Sequence, residues 1–345
     1  MRRGRTILLN VLALAALGLF LAFAEANCDG YQIQILNLIA INIILALSLN
    51  LIYGFTGLFS LGHAGFMAIG AYVCSILIMT PEQKDTLFIL QPAFDWVVAA
   101  HTPFLVAVLA GGAVAALFGA LVGFPLLRLG DDYLGIATLG FAEIIRVVAN
   151  NIPRVTNGAL GFKGIPSYAN LWWNYGFAVL ALYVIVRLLS SNTGNVLKAI
   201  RDDETASKAM GVDVFRYKLL SFSVGSFFAG VGGALIASLL TTIDPKMFLF
   251  TLTFNILMIV VAGGLGSLSG SILAGIGITV LLEWLRIVEN PVDVLGFSLP
   301  GIPGMRMVVF SLALIVIILF RREGLMGMRE VTWRSIASVF SRGKA

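Results

Sequence analysis

Apolar runs long enough to cross a bilayer constrain this chain more than any other feature. A helix needs roughly 17 to 25 apolar residues to span the hydrocarbon, and runs of that kind fall at about 6–24, 33–53, 64–80, 104–127, 133–150, 171–190, 219–240, 249–264, 268–287 and 304–320. Hydrophobic residues make up 59% of the 345 and charged residues 12%, with a mean hydropathy of +0.96. That balance excludes an ordinary soluble domain. The expected fold is all-α, a polytopic transmembrane bundle of about ten spans, one domain over residues 1–345 with both termini cytoplasmic. The net charge of +5 does not point to nucleic acid, because the cations collect at the ends of spans.

One polar island interrupts the pattern, from about Arg187 to Lys218. It carries Arg187, Lys198, Arg201, Lys208, Arg216 and Lys218. Short basic loops stay on the cytoplasmic side of a membrane, so this island orients every other span. Three further cations at the N-terminus, Arg128 and six in the C-terminal tail fall on the same side of a ten-span topology. Within the island, Asp202 and Asp203 suit a helix start, Glu204 and Lys208 stand at i and i+4, and Gly211 suits a stop. The spacing predicts two short helices, with Ala206, Ala209 and Met210 on a small apolar face. Such an element either docks another protein or serves as a solvated connector.

The N-terminal run, MRRGRTILLNVLALAALGLFLAFAEA, is compatible with a signal peptide or with a retained first span, and its length favours the span. The segments 81–103 and 151–170 read as caps outside the membrane, and His101 as a surface histidine. Cys28 and Cys74 do not suggest a disulfide framework.

Residues 54–72, GFTGLFSLGHAGFMAIGAY, contain no formal charge and many glycines. Glycine weakens a helix by about 1 kcal/mol relative to alanine, so a plain lipid-facing cylinder is disfavoured. Two uses remain. Small residues let helices approach closely, or the helix breaks here and its free backbone lines a cavity. In the second case Gly54, Thr56, Gly57, Ser60, Gly62, His63 and Gly65 are the candidate pathway residues. A loosely similar patch, GGLGSLSGSILAGIG, occupies 263–277. Glu143 with Arg146, and Glu283 with Arg286, are paired at i and i+3 inside apolar runs, where they can neutralise each other or serve function. Asp131 and Asp132 read as the end of a span.

Absences narrow the function. There is no G-x-x-x-x-G-K-[ST], H-E-x-x-H or G-x-S-x-G, so no nucleotide cradle, metal site or serine nucleophile is expected. An enzyme is not expected.

Four blocks carry a resemblance: NLIYGFTGLFSLGHAGFMAIGAYV, RLGDDYLGIATLGFAEIIRVVANN, AIRDDETASKAMGVDVFRYKLLSF and VVAGGLGSLSGSILAG, with FRREGLMG near the end. In this order they resemble the LivM-type inner-membrane permeases of bacterial ABC importers for branched-chain amino acids. The resemblance implies a multi-pass protein of the bacterial inner membrane, with no cofactor on this chain and ATP used by its partners. Those partners are two cytosolic ATPase subunits, a second permease of the LivH type and a periplasmic substrate-binding protein. It also makes about 191–218 the coupling segment that docks on the ATPase, through Arg201, Asp202, Asp203, Glu204, Thr205, Ala206, Ser207, Ala209, Met210 and Gly211. The family's Glu-Ala-Ala triplet falls on Thr205, Ala206 and Ser207, with Glu204 one position early. A urea or amide permease of the same superfamily, or an ion-gradient-driven transporter using Glu143, Glu283 or His63, are the alternative readings.

Overall fold

The computed structural model describes residues 3–88, 91–128 and 131–286, the strand pair at 292–294 and 297–299, a few positions between 304 and 315, and residues 324–330. The expected run at 304–320 lies mostly outside the described residues. Every earlier run is a helix. In chain order these are α1 (Arg3–Asn27), α2 (Gly30–Asn50), α3 (His63–Ile78), α4 (Pro81–Leu87), α5 (Asp95–Ala99), α6 (Phe104–Leu126), α7 (Asp131–Asn151), α8 (Pro153–Thr156), α9 (Leu171–Leu189), α10 (Asn192–Asp202), α11 (Glu204–Ala209), α12 (Val214–Leu240), α13 (Phe250–Gly263) and α14 (Leu268–Trp284). Two small antiparallel pairs complete the described part, β1 (Phe162–Lys163) with β2 (Thr242–Ile243), and β3 (Val292–Val294) with β4 (Phe297–Leu299).

The fold is therefore nearly all-α. Among the described residues, six helices are long and apolar enough to cross a membrane, or seven if α3 and α4, which meet at a bend of 117°, count as one span. The shorter α13 and α14 are also apolar.

Two boundaries differ from the sequence reading. Asp131 and Asp132 begin α7 rather than ending a span; carboxylates suit the positive end of a helix dipole. The span expected at 219 starts at Val214, because the Asp213 carboxylate accepts the Arg216 N–H at 3.3 Å and caps the helix. Arg216 and Lys218 are thus helical residues at the foot of α12.

Packing falls into two groups that share α2. On one side α3, α6 and α12 cross where their glycines meet. A Cβ built on Gly70 would lie 2.0 Å from the Gly230 carbonyl oxygen, and one on Gly111 would lie 2.8 Å from the Gly70 carbonyl oxygen. Only backbone fits there, which is how helices associate closely in lipid. On the other side, α2 meets α9 and α14 through side-chain amides. Asn174 donates to Asn37 Oδ1 at 2.8 Å, and Asn42 donates to Thr279 Oγ1 at 2.8 Å.

The two ends of the bundle are chemically distinct. At the island end, Arg128 stacks its guanidinium over Phe124 and Phe215, which brings the α6–α7 turn beside the foot of α12. At the far end, β1–β2 ties the segment after α7 to the end of α12. There the buried Lys84 donates to the carbonyls of Val97, Val98 and Ala100 and so caps the last turn of α5. Desolvation pulls its pKa down to about 8. His101, in the same segment, is exposed.

Gly70→Ala tests the crossing. Overpacking of this kind costs about 1–3 kcal/mol, so the purified variant is expected to unfold at a lower temperature in detergent; an unchanged midpoint would mean that the three helices do not meet at backbone contact.

Candidate functional site

The glycine-rich stretch is a true break in the helical path. The chain leaves α2 through a π turn, Leu51–Phe55, and reverses at Gly57, whose φ of +80° favours glycine. It stays irregular until His63. Backbone groups inside a bilayer need partners, and here side chains of distant helices supply them. The Leu61 N–H donates to Thr138 Oγ1 on α7 and the Ala64 N–H to Thr253 Oγ1 on α13, both at 2.9 Å. Thr138 stands seven residues into α7, about 10 Å along it at 1.5 Å per residue. The start of α3 therefore sits well inside the bundle and not at its edge.

The candidate pathway residues are mostly buried in this break. Thr56, Ser60 and His63 are 1%, 2% and 1% exposed, while Gly57 is exposed. Thr56 Oγ1 donates to the Leu51 carbonyl and pairs with Ser221 Oγ of α12 at 2.6 Å. Ser60 Oγ accepts the Gly62 N–H. Ser48 Oγ donates to the Leu45 carbonyl, so His63 Nε2 must donate to Ser48, at 2.9 Å. His63 is then the Nε2–H tautomer, and its buried Nδ1 has no partner among the described residues. Gly62 and Gly65 face α7 so closely that a Cβ on either would lie 2.8 Å from Thr138 O or from Ala142 Cα. Close packing and a broken helix, alternatives in the sequence, are both present.

The second glycine patch meets the first through Asn50. This fully buried amide accepts the Gly266 N–H at 2.9 Å and donates to the Ser267 carbonyl at 2.9 Å and to Ser271 Oγ at 2.7 Å. Gly54 lies against the same group: a Cβ there would be 1.8 Å from Asn50 Oδ1 and 2.4 Å from the Gly266 nitrogen. The tail closes over this junction. Leu325 and Met326 N–H groups donate to the carbonyls of Ala262 and Gly263, and Glu330 accepts the Leu268 N–H at the start of α14.

The island reaches the junction too. Arg201, at the end of α10, donates from Nη1 to the Gly54 carbonyl at 3.1 Å, and its Cγ and Nη1 bound the space beside Gly57 and Gly266. Asp202 pairs with the same guanidinium at 2.8 Å. Asp203 caps α11 by accepting the Ala206 N–H at 2.9 Å, and Gly211, φ +80°, follows the end of that helix. The expected pair of short helices is present. On α11, Thr205, Ala206, Ala209 and Met210 are exposed, Met210 at 84%. Ser207 is buried and returns its hydroxyl to the Asp203 carbonyl. Glu204 fixes α11 to the bundle, one oxygen on Lys208 and the other on the buried Lys218 of α12.

Sequence reasoning missed Asn50, Thr138, Ser221 and Thr253. The available signal was a polar residue inside an otherwise apolar run, with Asn50 ending INIILALSLN. No group of three or more His, Cys, Asp or Glu able to hold a metal occurs among the described residues.

A helical membrane protein whose spans break at glycine-rich segments, with a charged helical elbow seated on the break, has the build of a transporter's membrane-embedded subunit. The chain belongs to the family described as branched-chain amino acid transport system / permease component, which it matches over residues 31–319. This is a transport family and not an enzyme class. The chain is 33% identical over 317 residues to the high-affinity branched-chain amino acid transport system permease protein LivM of Escherichia coli (strain K12), covering 82% of this chain and 70% of the relative. It is 23% identical over 323 residues to a probable LivM of Methanocaldococcus jannaschii, covering 84% and 91%. It is also 22% identical over 311 residues to LivH of Salmonella typhimurium, covering 84% and 92%. No solved structure matches the chain.

Two outcomes are expected. Asn50→Ala leaves the Gly266 N–H and the Ser267 carbonyl without their partner, a loss of about 1–3 kcal/mol. A lower unfolding temperature in detergent is the readout, and an unchanged one would remove Asn50 as the clamp. Burial raises the Glu204 pKa, but the hydrogen bonds from Lys208 and Lys218 outweigh it and hold the carboxyl below its ordinary range. A depressed folded-state pKa makes this anchor complete above the ordinary Glu value of about 4.3 and loses it as pH falls through the lower folded value. Hydrogen exchange in α11 should therefore accelerate on acidification below about pH 4, and less so in Glu204→Gln.

Proposed function

We propose that this chain is the LivM-type permease subunit of an ATP-driven ABC importer that carries branched-chain, aliphatic amino acids across the bacterial inner membrane. The relatives' names supply the substrate class. The observation that carries the mechanism is the Arg201 hydrogen bond to Gly54, because it joins the elbow to the break without intermediary. Two cytosolic ATPases dock on α10 and α11, a LivH-type permease completes the membrane half, and a periplasmic binding protein delivers the amino acid. ATP is bound by the partners and not by this chain.

The full topology has ten spans, with 304–320 as the last, and both termini cytoplasmic. Antiparallel packing of α1 on α9 supports this: Trp172 at the start of α9 donates to Glu25 at the end of α1, so the first residues of α1 lie toward the island end. Residues 324–330, on the Gly263–Ser269 turn, lie at that end as well.

ATP-driven closure of the partners displaces α10–α11. Because Glu204 grips Lys218 and Arg201 grips Gly54, the displacement acts on α12 and on the break together. Thr56, Ser60, His63 and the surrounding glycines, closed over in this conformation, then become the lining of the path.

The docking face is tested by Ala206→Arg in the reconstituted transporter. Membrane insertion should be unchanged and ATP-driven leucine uptake should fall to background, since a buried charge at an interface opposes docking. Uptake at the parent rate would remove α11 from the interface.

A further inference from the structure

The ion pair of Glu143 and Arg146 on α7 is left unexplained by coupling. Glu143 is central in the apolar stretch Tyr133–Asn151, about 12 Å along the helix from its end at Asn151. The face of α7 that packs on α3 carries Leu134, Thr138, Phe141, Ala142 and Ala149, all buried. The pair lies away from that face, with side chains 42% and 26% exposed. Ions at such depth are expensive in lipid and occur where they meet water or another protein.

The bonding is lopsided. Arg146 Nε donates to Glu143 Oε1 at 2.8 Å, and its Nη2 donates to the same oxygen. Among the described residues, Glu143 Oε2 and Arg146 Nη1 have no protein partner. Beside Glu143, at helical spacing, stand Ile136, Gly140 and Val147. Ile136 is 72% and Val147 45% exposed, and a Cβ on Gly140 would meet nothing within 4 Å. A free acceptor, a free donor and an apolar notch therefore share one stripe.

The other pair of the same spacing contrasts with it. Glu283 and Arg286 stand at the end of α14, where long side chains reach the interface, and Tyr31 of α2 donates its hydroxyl to Glu283. That pair ties α2 to α14. Glu143 and Arg146 tie α7 to nothing described.

We infer that Glu143 and Arg146 are a contact site for the zwitterionic amino acid during its passage: Glu143 Oε2 takes the ammonium, Arg146 Nη1 the carboxylate, and the Ile136–Gly140–Val147 notch the aliphatic side chain. The site rests on the permease reading. It lies on the face of α7 turned away from the break, so it is a contact made on the way to or from the break's lining, and it selects for both charges at once. Thr138 and Ala142, one on each side of Leu139 to Phe141, hold the break at the start of α3, so the same helix carries the break's support on one face and the cargo on the other.

Two measurements on the assembled transporter test the site. In membranes carrying Val147→Cys on a Cys28→Ser background, a charged, membrane-impermeant thiol reagent should label position 147, beside the intact ion pair. Leucine should slow that labelling at least about threefold, as occupancy well above half requires, whereas isocaproate, lacking the ammonium, and isopentylamine, lacking the carboxylate, should not. Absence of labelling, or a rate indifferent to leucine, overturns the proposal, and neither outcome depends on ATP. The double variant Glu143→Gln/Arg146→Gln leaves no unpaired ion, so a merely self-neutralising pair would allow transport at the parent KM. A substrate contact raises KM at least about tenfold, the loss of a charge-assisted hydrogen bond, with membrane insertion unchanged. Failure of the parent complex to import leucine with ATP would instead defeat the permease reading itself.

Discussion

A buried amide has four hydrogen-bonding capacities and, inside a bilayer, no water to meet them. Asn50 meets three of its own on the Gly266–Ser271 turn, and much else depends on it. It brings two glycine-rich segments, more than 200 residues apart in the chain, to backbone contact. It also fixes where α2 stops being helical, since Gly54 has to lack a side chain for the amide to fit. Asn37, Asn42 and Ser48 repeat the device along α2, each aimed at a different helix. In lipid the hydrophobic effect does not discriminate between helix neighbours, so these bonds specify which helices touch α2.

The break follows from the same requirement. Seven irregular residues can lie inside the bundle only because Thr138, Thr253 and Ser60 accept N–H groups that a continuous helix would have used internally. Such hydroxyls are exchangeable partners. A helix hydrogen bond is made within one segment, but those to Thr138 and Thr253 run from the break and the start of α3 to two other helices, so relative movement of those helices breaks them. The irregular segment is thus the part of the bundle whose backbone bonding is most sensitive to rigid-body displacement.

The chain's large features were legible because they obey a single rule, that an apolar run of about 20 residues is a span. The island was legible as well: Asp203, Glu204, Lys208 and Gly211 are cap, pair and stop by local rules, and each acts as such. The bend after Ile78 was not, although Thr80-Pro81 with Gln83 forms a capping box, because the apolar count ran on to residue 80. Neither was the meeting of Arg201 with Gly54. Local patterns give the placement of a residue on its own helix, and the contact needed α10 to fold back under α2. Glu204 looked like a departure from the family's triplet; its bond to Lys218 gives it a structural task on this chain.

The elbow holds the bundle at two points of different character. Glu204 and Lys218 form a charge-assisted pair with Lys218 almost fully buried, the stronger kind of bond, between α11 and a helix that is glycine-packed against α3 and α6. Arg201 holds Gly54 by a single hydrogen bond to a carbonyl while Asp202 competes for the same guanidinium. Were the elbow displaced, the weaker grip would yield first. The α3–α6–α12 group would travel with α11, while α2 stays with α9 and α14 through its asparagines. Separation would then concentrate where α2 and the break meet α3 and α12, at the Ser48–His63 and Thr56–Ser221 hydrogen bonds.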